Sequence, residues 1–409
     1  MDVPLAKPLK TRKMKKSLLV TALFNLVFCF SAFSQWNTMA SMLTGRGQHA
    51  AIAHPNGKVY VWGGYDLTNT FSSLEIYDQA SNSWSAGAPL PTVSRGFASA
   101  LGLDSMIYSF SGVDLSGTIT SCYKYNVTTN SWTTLAPIPT PVWESAAATA
   151  PNGDIFVFGG EGGLTLTQIY HPSSDTWTAG TPIPVGVEME GAVTAPNGKI
   201  YLVGGYDGGS VIGNVQIYDP ALTTWSAGAT MTTPRNQFAC TIHNTSIYTI
   251  GGKNSYSNNS GPFYNNVEIY NTTNGIWSTG TALPVLIGET KACTINGGIN
   301  VIGGTDNAYQ NTNYRLDINV GIQEIENVNV NLFPNPAKDV VFINLEGGNQ
   351  NYDVNIYTLD GKMVYSAGEK ALTGSSSLQV DLGNFAEGVY VISVISNKQV
   401  YNSKLVITK

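Results

Sequence analysis

Short apolar runs recur along the first 320 residues and end in paired glycines. The pairs are Gly63-Gly64, Gly159-Gly160, Gly204-Gly205, Gly251-Gly252 and Gly303-Gly304, with Ser111-Gly112 as a degenerate copy. A tyrosine follows each pair (Tyr77, Tyr125, Tyr170, Tyr218, Tyr270, Tyr314). In five copies a tryptophan comes next, at Trp84, Trp132, Trp177, Trp225 and Trp277, spaced 45 to 52 residues apart. Runs of this length bounded by turn residues predict buried strands. In the third copy Ala146 to Ala150 is the inner strand and Pro151-Asn152-Gly153 a tight turn. Ile155 to Phe158 is the second strand, Thr167 to Tyr170 the third, and Asp175-Thr176-Trp177 opens the outer one. The turn recurs at Pro55-Asn56-Gly57, Pro196-Asn197-Gly198 and Asn296-Gly297-Gly298, where glycine supplies the positive φ of a hairpin.

A repeat of this length with paired glycine, tyrosine and tryptophan resembles the kelch repeat, the four-stranded blade of a β-propeller. The fold class expected is all-β: a six-bladed kelch propeller over residues 35–320, then a small β-sandwich. The sixth copy reaches Tyr314-Arg315-Leu316-Asp317 without a tryptophan, whereas Trp36 stands alone 48 residues before Trp84. Trp36 is therefore expected to supply the outer strand of the last blade and close the ring. The tyrosines and tryptophans read first as packing between blades.

Composition narrows the partners. The 409 residues carry a formal charge of −6, which argues against nucleic acid or an anionic membrane. Residues 1–34 read as a signal peptide: Lys7 to Lys16 form a basic region, Leu18 to Phe30 an apolar one, and Ala32-Phe33-Ser34 a cleavage site before Gln35. Met14-Lys15-Lys16 resembles a more usual start, which makes residues 1–13 an upstream extension. About 13 apolar residues are too few to span a bilayer, and Phe28 is too large for the position before a lipoprotein Cys29, so no transmembrane span is expected in the mature chain. Cys122, Cys240 and Cys293 remain after cleavage. Cys240 and Cys293 sit in similar strands, either as two buried small residues or as a cross-blade disulfide.

Residues 321–330 read as a linker. Beyond it, strands at 340–343, 352–357, 378–381 and 389–394, with Asp360-Gly361 as a hairpin turn, form a second domain. Residues 331–409 resemble the C-terminal sorting domain of the Bacteroidetes type IX secretion system. The resemblance rests on Leu332-Phe333-Pro334-Asn335-Pro336, Ile356 through Lys362, Leu382 through Tyr390, and Lys404-Leu405-Val406-Ile407. It implies export through the periplasm and across the outer membrane, with the passenger released or attached at the surface.

Two sets of propeller loops are expected at one channel mouth. One follows the glycine pairs and contains Tyr65-Asp66 and Tyr206-Asp207. The other precedes the inner strands and carries Arg46, His49, Arg95, Phe97, Trp143, Glu144, Glu188, Glu190, Arg235, Gln237, Glu289 and Lys291. Arginine forks bind carboxylates, carboxylates accept from hydroxyls, and aromatic faces stack on sugars. Ligand contacts are therefore expected from Arg46, Arg95, Trp143, Glu188, Glu190, Arg235, Gln237, Tyr65 and Tyr206. The competing reading makes the aspartates turn caps and the arginines braces. The long fifth-blade loop, 254–266, adds Tyr256, Phe263 and Tyr264.

A module recognising a glycan or an extracellular protein is the first expectation. The alternative resembles the bacterial kelch-type N-acetylneuraminate epimerases (sialic acid mutarotases), with Glu188 or Glu190 as acid/base and Arg95 and Arg235 for the substrate carboxylate. A copper oxidase of the galactose-oxidase kind is disfavoured, because His49, His54, His171 and His243 are dispersed. No Gly-x-Ser-x-Gly, His-Glu-x-x-His or phosphate-loop motif occurs, and no cofactor or metal is expected.

Overall fold

The computed structural model describes residues 35–256, 261–318, 329–346, 350–359, 362–372, 377–396 and 399–409. The signal-peptide reading and the Asp360-Gly361 turn lie outside them. The chain divides into two compact units, Met1–Val320 and Gly321–Lys409. All described regular structure is strand.

Six four-stranded antiparallel sheets make up the first unit. The inner strands are Ala50–His54, Ala98–Leu101, Ala146–Thr149, Gly191–Thr194, Ala239–His243 and Lys291–Ile295. Each packs beside the next, and the sixth returns to the first. Blades 1 to 5 run outward in chain order. The sixth takes its outer strand from the other end of the unit, where Trp36–Thr38 pairs antiparallel with Asn313–Asp317 in the register Trp36↔Leu316.

Chemistry as well as topology closes the circle. Each tryptophan indole donates to a backbone carbonyl four residues after the tryptophan of the preceding blade. Trp84 reaches Ala40, Trp132 Ala88, Trp177 Ala136, Trp225 Thr181, Trp277 Ala229 and Trp36 Thr281, all at 2.7–3.3 Å. In blades 1 to 5 the apolar body of the ring packs on the blade tyrosine, as in the Tyr125–Trp132 pair with centroids 5.0 Å apart, and in blade 6 Trp36 lies opposite Leu316. Each indole thus fills an apolar gap while its N–H satisfies an otherwise unpaired carbonyl.

The glycine pairs mark the narrowest approach between blades. A Cβ at Gly159 (φ 56°) would lie 2.1 Å from the Val187 carbonyl oxygen of the next blade, which leaves room for no side chain. Blade 2 tolerates Ser111 at φ 59° because its hydroxyl lies 2.7 Å from the carbonyls of Ile119 and Val142 and accepts from the Val142 N–H. The local hydrogen bonds offset the strain of the left-handed residue. Cys122, Cys240 and Cys293 are free thiols, so the structure carries no Cys240–Cys293 disulfide.

The second unit is a sandwich of a three-stranded and a four-stranded sheet. Its core is built by Val341, Ile343, Val354, Ile356, Val380, Leu382, Ile392, Val394, Leu405 and Ile407. The alternation of these positions is that of strands buried on one face. Three strands were not anticipated from sequence, Asn329–Phe333, Met363–Leu372 and Gln399–Ile407. The first strand, Asn329–Phe333, also begins before the expected end of the linker at 330.

Candidate ligand site at the channel mouth

The residue opening each loop after a glycine pair bridges to the loop preceding an inner strand. The pairs are Gly47↔Tyr65, Arg95↔Val113, Trp143↔Glu161, Glu188↔Tyr206, Asn236↔Lys253 and Gly288↔Thr305. Both loop sets are thereby zipped together at one end of the channel.

Just inside these bridges the backbone forms a closed circle. Gln48, Gly96, Glu144, Met189, Gln237 and Glu289 all have positive φ, between 47° and 59°. Each N–H donates to the carbonyl of its counterpart in the preceding blade: Gly96 to Gln48, Glu144 to Gly96, Met189 to Glu144, Gln237 to Met189, Glu289 to Gln237 and Gln48 to Glu289, at 2.6–3.2 Å. Five of the six are not glycine, and an L-residue in this region costs about 1–2 kcal/mol. Strain repeated at one level is a pointer to function rather than an accident of packing. The ring encloses only about 20 Å3, room for roughly one water, and so forms the floor of the mouth.

Side chains from and above the ring make the site. The Arg95 guanidinium lies over the Tyr65 ring at 4.2 Å and near Trp143 at 5.9 Å, and donates to Gln48 Oε1 at 3.2 Å. Tyr65 packs edge-on against Tyr309 at 4.8 Å, whose hydroxyl donates to Glu289 Oε2. Lys253, fully buried, pairs with Glu289 at 3.6 Å. Gln237 Nε2 donates to Glu144 Oε1 at 3.0 Å. On the far side Tyr206 packs on Tyr256 at 4.6 Å, and the Tyr256 hydroxyl reaches Glu161 Oε2 at 3.4 Å. An aromatic and charged arc therefore runs from Tyr309 through Tyr65, Arg95, Trp143, Glu161 and Glu188 to Tyr206 and Tyr256.

Glu188 is the distinctive acid of this arc. Burial, reinforced by the negative charges of Glu161 and Glu144, pushes its carboxyl up to about 7, and its Oε2 has no hydrogen-bond partner. A carboxyl with these perturbers changes charge near neutral pH and is a marker of functional sites. The sign follows directly: the folded protein holds this proton more tightly than the unfolded chain does. The contribution of Glu188 to stability is therefore fullest below the ordinary carboxylate range and is lost as pH rises through about 7. Glu188→Gln is expected to flatten that part of the stability–pH curve, measured by urea unfolding at pH 5, 6, 7 and 8.

Three of the sequence-selected residues are placed differently. Arg46 and Arg235 are fully buried. Arg46 donates to the carbonyls of Gly63 and Ser73 and pairs with Glu75; Arg235 does so to Gly251 and Asn266 and lies beside Glu268 at 3.5 Å. Their forks are occupied by the fold, which corrects the reading of both as ligand contacts: they are braces. Glu190 lies beneath the ring, against Gly159, and not at the mouth. Asp66 and Asp207 cap their own turns through the N–H groups of Thr68, Asn69, Gly209 and Ser210. In the fifth-blade loop Phe263 is buried and Tyr264 sits under Arg235, so within its described part Tyr256, 45% exposed, is the aromatic that joins the arc. Tyr309 and Gln48 went unselected; the signal for Gln48 was its spacing, in step with Glu144, Gln237 and Glu289.

This architecture defines the class, a six-bladed kelch-type propeller. Residues 21–188 match the KLHDC2/KLHL20/DRC7 Kelch-repeats domain, and residues 190–232 and 234–284 each match the Kelch motif. Residues 331–408 match the Secretion system C-terminal sorting domain. The chain belongs to the kelch-repeat proteins and carries a type IX secretion sorting domain, which marks it for export to the cell surface or the medium. It is similar to Kelch-like protein 35 of Mus musculus, 41% identical over 66 residues, and of Homo sapiens, 39% over 66 residues. That stretch is 16% of this chain and 11% of each relative. Among the described residues no helix is long and apolar enough to cross a membrane.

Proposed function

We propose that the propeller is an extracellular recognition module that binds a carbohydrate at the channel mouth. The observation that carries this reading is the arc itself. A partly exposed guanidinium stands between two aromatic rings, on the same arc as Glu188, whose Oε2 has no partner, and as a second aromatic pair. Aromatic faces suit the apolar face of a sugar, and carboxylates and the arginine fork suit its hydroxyl and acid groups. Concave sites of a few convergent polar groups on an aromatic wall are the usual form of a small-molecule site.

The full chain, screened on a glycan array that includes acidic sugars, is expected to retain a defined subset, and Trp143→Ala is expected to lose it. Capture of no glycan, together with binding of an extracellular protein, would transfer the mouth to a protein ligand. A second reading rests on Glu188, whose titration near neutrality suits acid/base exchange at a sugar anomeric centre. In that reading Arg95 alone anchors the substrate acid, since Arg235 is committed to the fold. Turnover of a bound sialylated sugar that is unchanged in Glu188→Gln would remove it.

A further inference from the structure

The second open space of the propeller lies on the other side of the backbone ring. It is a cavity of about 470 Å3 lined by all six inner strands, from Ala51 to Ala53 in blade 1 round to Ala292 and Thr294 in blade 6. The backbone ring lies between this cavity and the mouth, and its other end faces the inner-strand hairpins. Its size is in the range of small-molecule sites.

The floor and the walls of this tunnel differ in chemistry. Two places after the ring, blades 1 to 5 carry Ala50, Ala98, Ala146, Gly191 and Ala239, whereas blade 6 carries Lys291. Lys291 and Glu190 are the charged residues of the lining. Lys291 is half-buried, and its charge acts on Glu144 and Glu190. Glu190 is 8% exposed, and neither of its carboxyl oxygens has a partner. Burial raises its pKa well above the ordinary carboxylate range, against the pull of Lys291 and of the Glu190 and Ala146 N–H groups, which favours the protonated, donating form. The floor therefore presents donors, an ammonium and a carboxylic O–H.

Higher up, hydroxyls stitch neighbouring inner strands. Thr149 Oγ1 donates to the Leu101 carbonyl at 2.7 Å and Thr194 Oγ1 to the Thr149 carbonyl at 2.8 Å, and Thr241 and Thr294 share a bond of 3.0 Å. A hydroxyl that has spent its proton on a backbone carbonyl keeps acceptor lone pairs. The walls between them are alanine together with Ile52, Leu101, Val193 and Ile242, an apolar surface that a short carbon chain can lie against.

We infer that this tunnel is a second binding site, independent of the mouth, for a short hydroxylated carboxylic acid whose carboxylate meets Lys291 and Glu190 and whose hydroxyls donate to the threonine walls. Lys291 and Glu190 share one level of the tunnel without a hydrogen bond between them, and a carboxylate can bridge them by accepting from both.

The test uses the full chain and glycerate as probe, with glycerol as its neutral counterpart, followed by calorimetry and by saturation-transfer NMR. Glycerate is expected to bind at one site, at least tenfold more tightly than glycerol. Lys291→Met is expected to weaken it at least tenfold and Lys291→Arg to retain most of it, while Arg95→Ala leaves it unchanged. Ala53→Trp, at the open end, tests the same site by obstruction and is expected to abolish binding should Lys291→Met fail to fold. Absence of glycerate binding, equal binding of glycerol, or binding that persists in Lys291→Met or in Ala53→Trp would overturn the inference. Loss of glycerate in Arg95→Ala would overturn it too, by moving the acid to the mouth.

Discussion

Arg46→Ala is expected to destabilise the propeller by about 3–5 kcal/mol, the usual cost of removing one partner from a buried ion pair. The guanidinium is fully buried, and its loss would leave the Glu75 carboxylate, 3% exposed, without its cation. It would also leave the Gly63 carbonyl without its donor, whereas the Ser73 carbonyl would still accept from the Gly63 N–H. The Leu43 N–H would still donate to Glu75 Oε2 at 2.6 Å, which keeps the cost from rising further. Arg46→Lys is expected to recover only part of the loss, because a single ammonium cannot reach two carbonyls and a carboxylate with the geometry of the planar fork. Urea midpoints of the three proteins check this. An Arg46→Ala midpoint equal to that of the parent would return Arg46 to the exposed residues. The equivalent Arg235 sits farther from its acid, 3.5 Å from Glu268, and its alanine variant is expected to lose less.

Trp36→Ala is expected to cost about 3–5 kcal/mol as well, in the range for a buried tryptophan truncated to alanine. The effect here has a direction along the chain. Trp36 joins the first strand of the unit to blade 6, packs in a core with Leu283, Ile299, Val301 and Leu316, and donates to the Thr281 carbonyl. Opening that seam converts a closed ring into an arc with two free sheet edges. Hydrogen exchange is therefore expected to accelerate first in Asn313–Asp317 and then in Gly298–Ile302, with blades 2 and 3 following later. Uniform acceleration over all six blades would mean that closure is not the weak point.

Much of this fold was legible because its rules are local. Paired glycines, the tyrosine and the tryptophan recur with the blade, and each marks a position that the backbone geometry cannot fill otherwise. The tryptophan missing after Tyr314 and the solitary Trp36 were enough to anticipate the closure, since one completes the other. The missed sandwich strands Met363–Leu372 and Gln399–Ile407 interleave polar and charged residues with the apolar ones, and Asn329–Phe333 is only five residues, two of them asparagine, ahead of Pro334, so the periodic signal is weak in all three.

The mouth was legible only as a set. Arg46, Arg95 and Arg235 occupy comparable loops, but sequence does not reveal that Glu75 and Glu268 project from neighbouring strands to meet two of them while Arg95 faces Tyr65 and Trp143. The backbone ring was missed for a related reason. Gln48, Gly96, Glu144, Met189, Gln237 and Glu289 share a conformation and a hydrogen-bond partner rather than a side-chain type, and composition carries no trace of that.

The division of labour among the arginines is the centre of this account, and one titration tests it most directly. A carbohydrate retained on the array is titrated by calorimetry against the full chain, Arg95→Ala and Arg235→Lys, each first shown to be folded by its urea transition. The account predicts that Arg95→Ala weakens binding by about tenfold or more, the scale of a lost charge-assisted hydrogen bond, while Arg235→Lys binds as the parent does. Undiminished binding by Arg95→Ala, or a loss confined to Arg235→Lys, would contradict it.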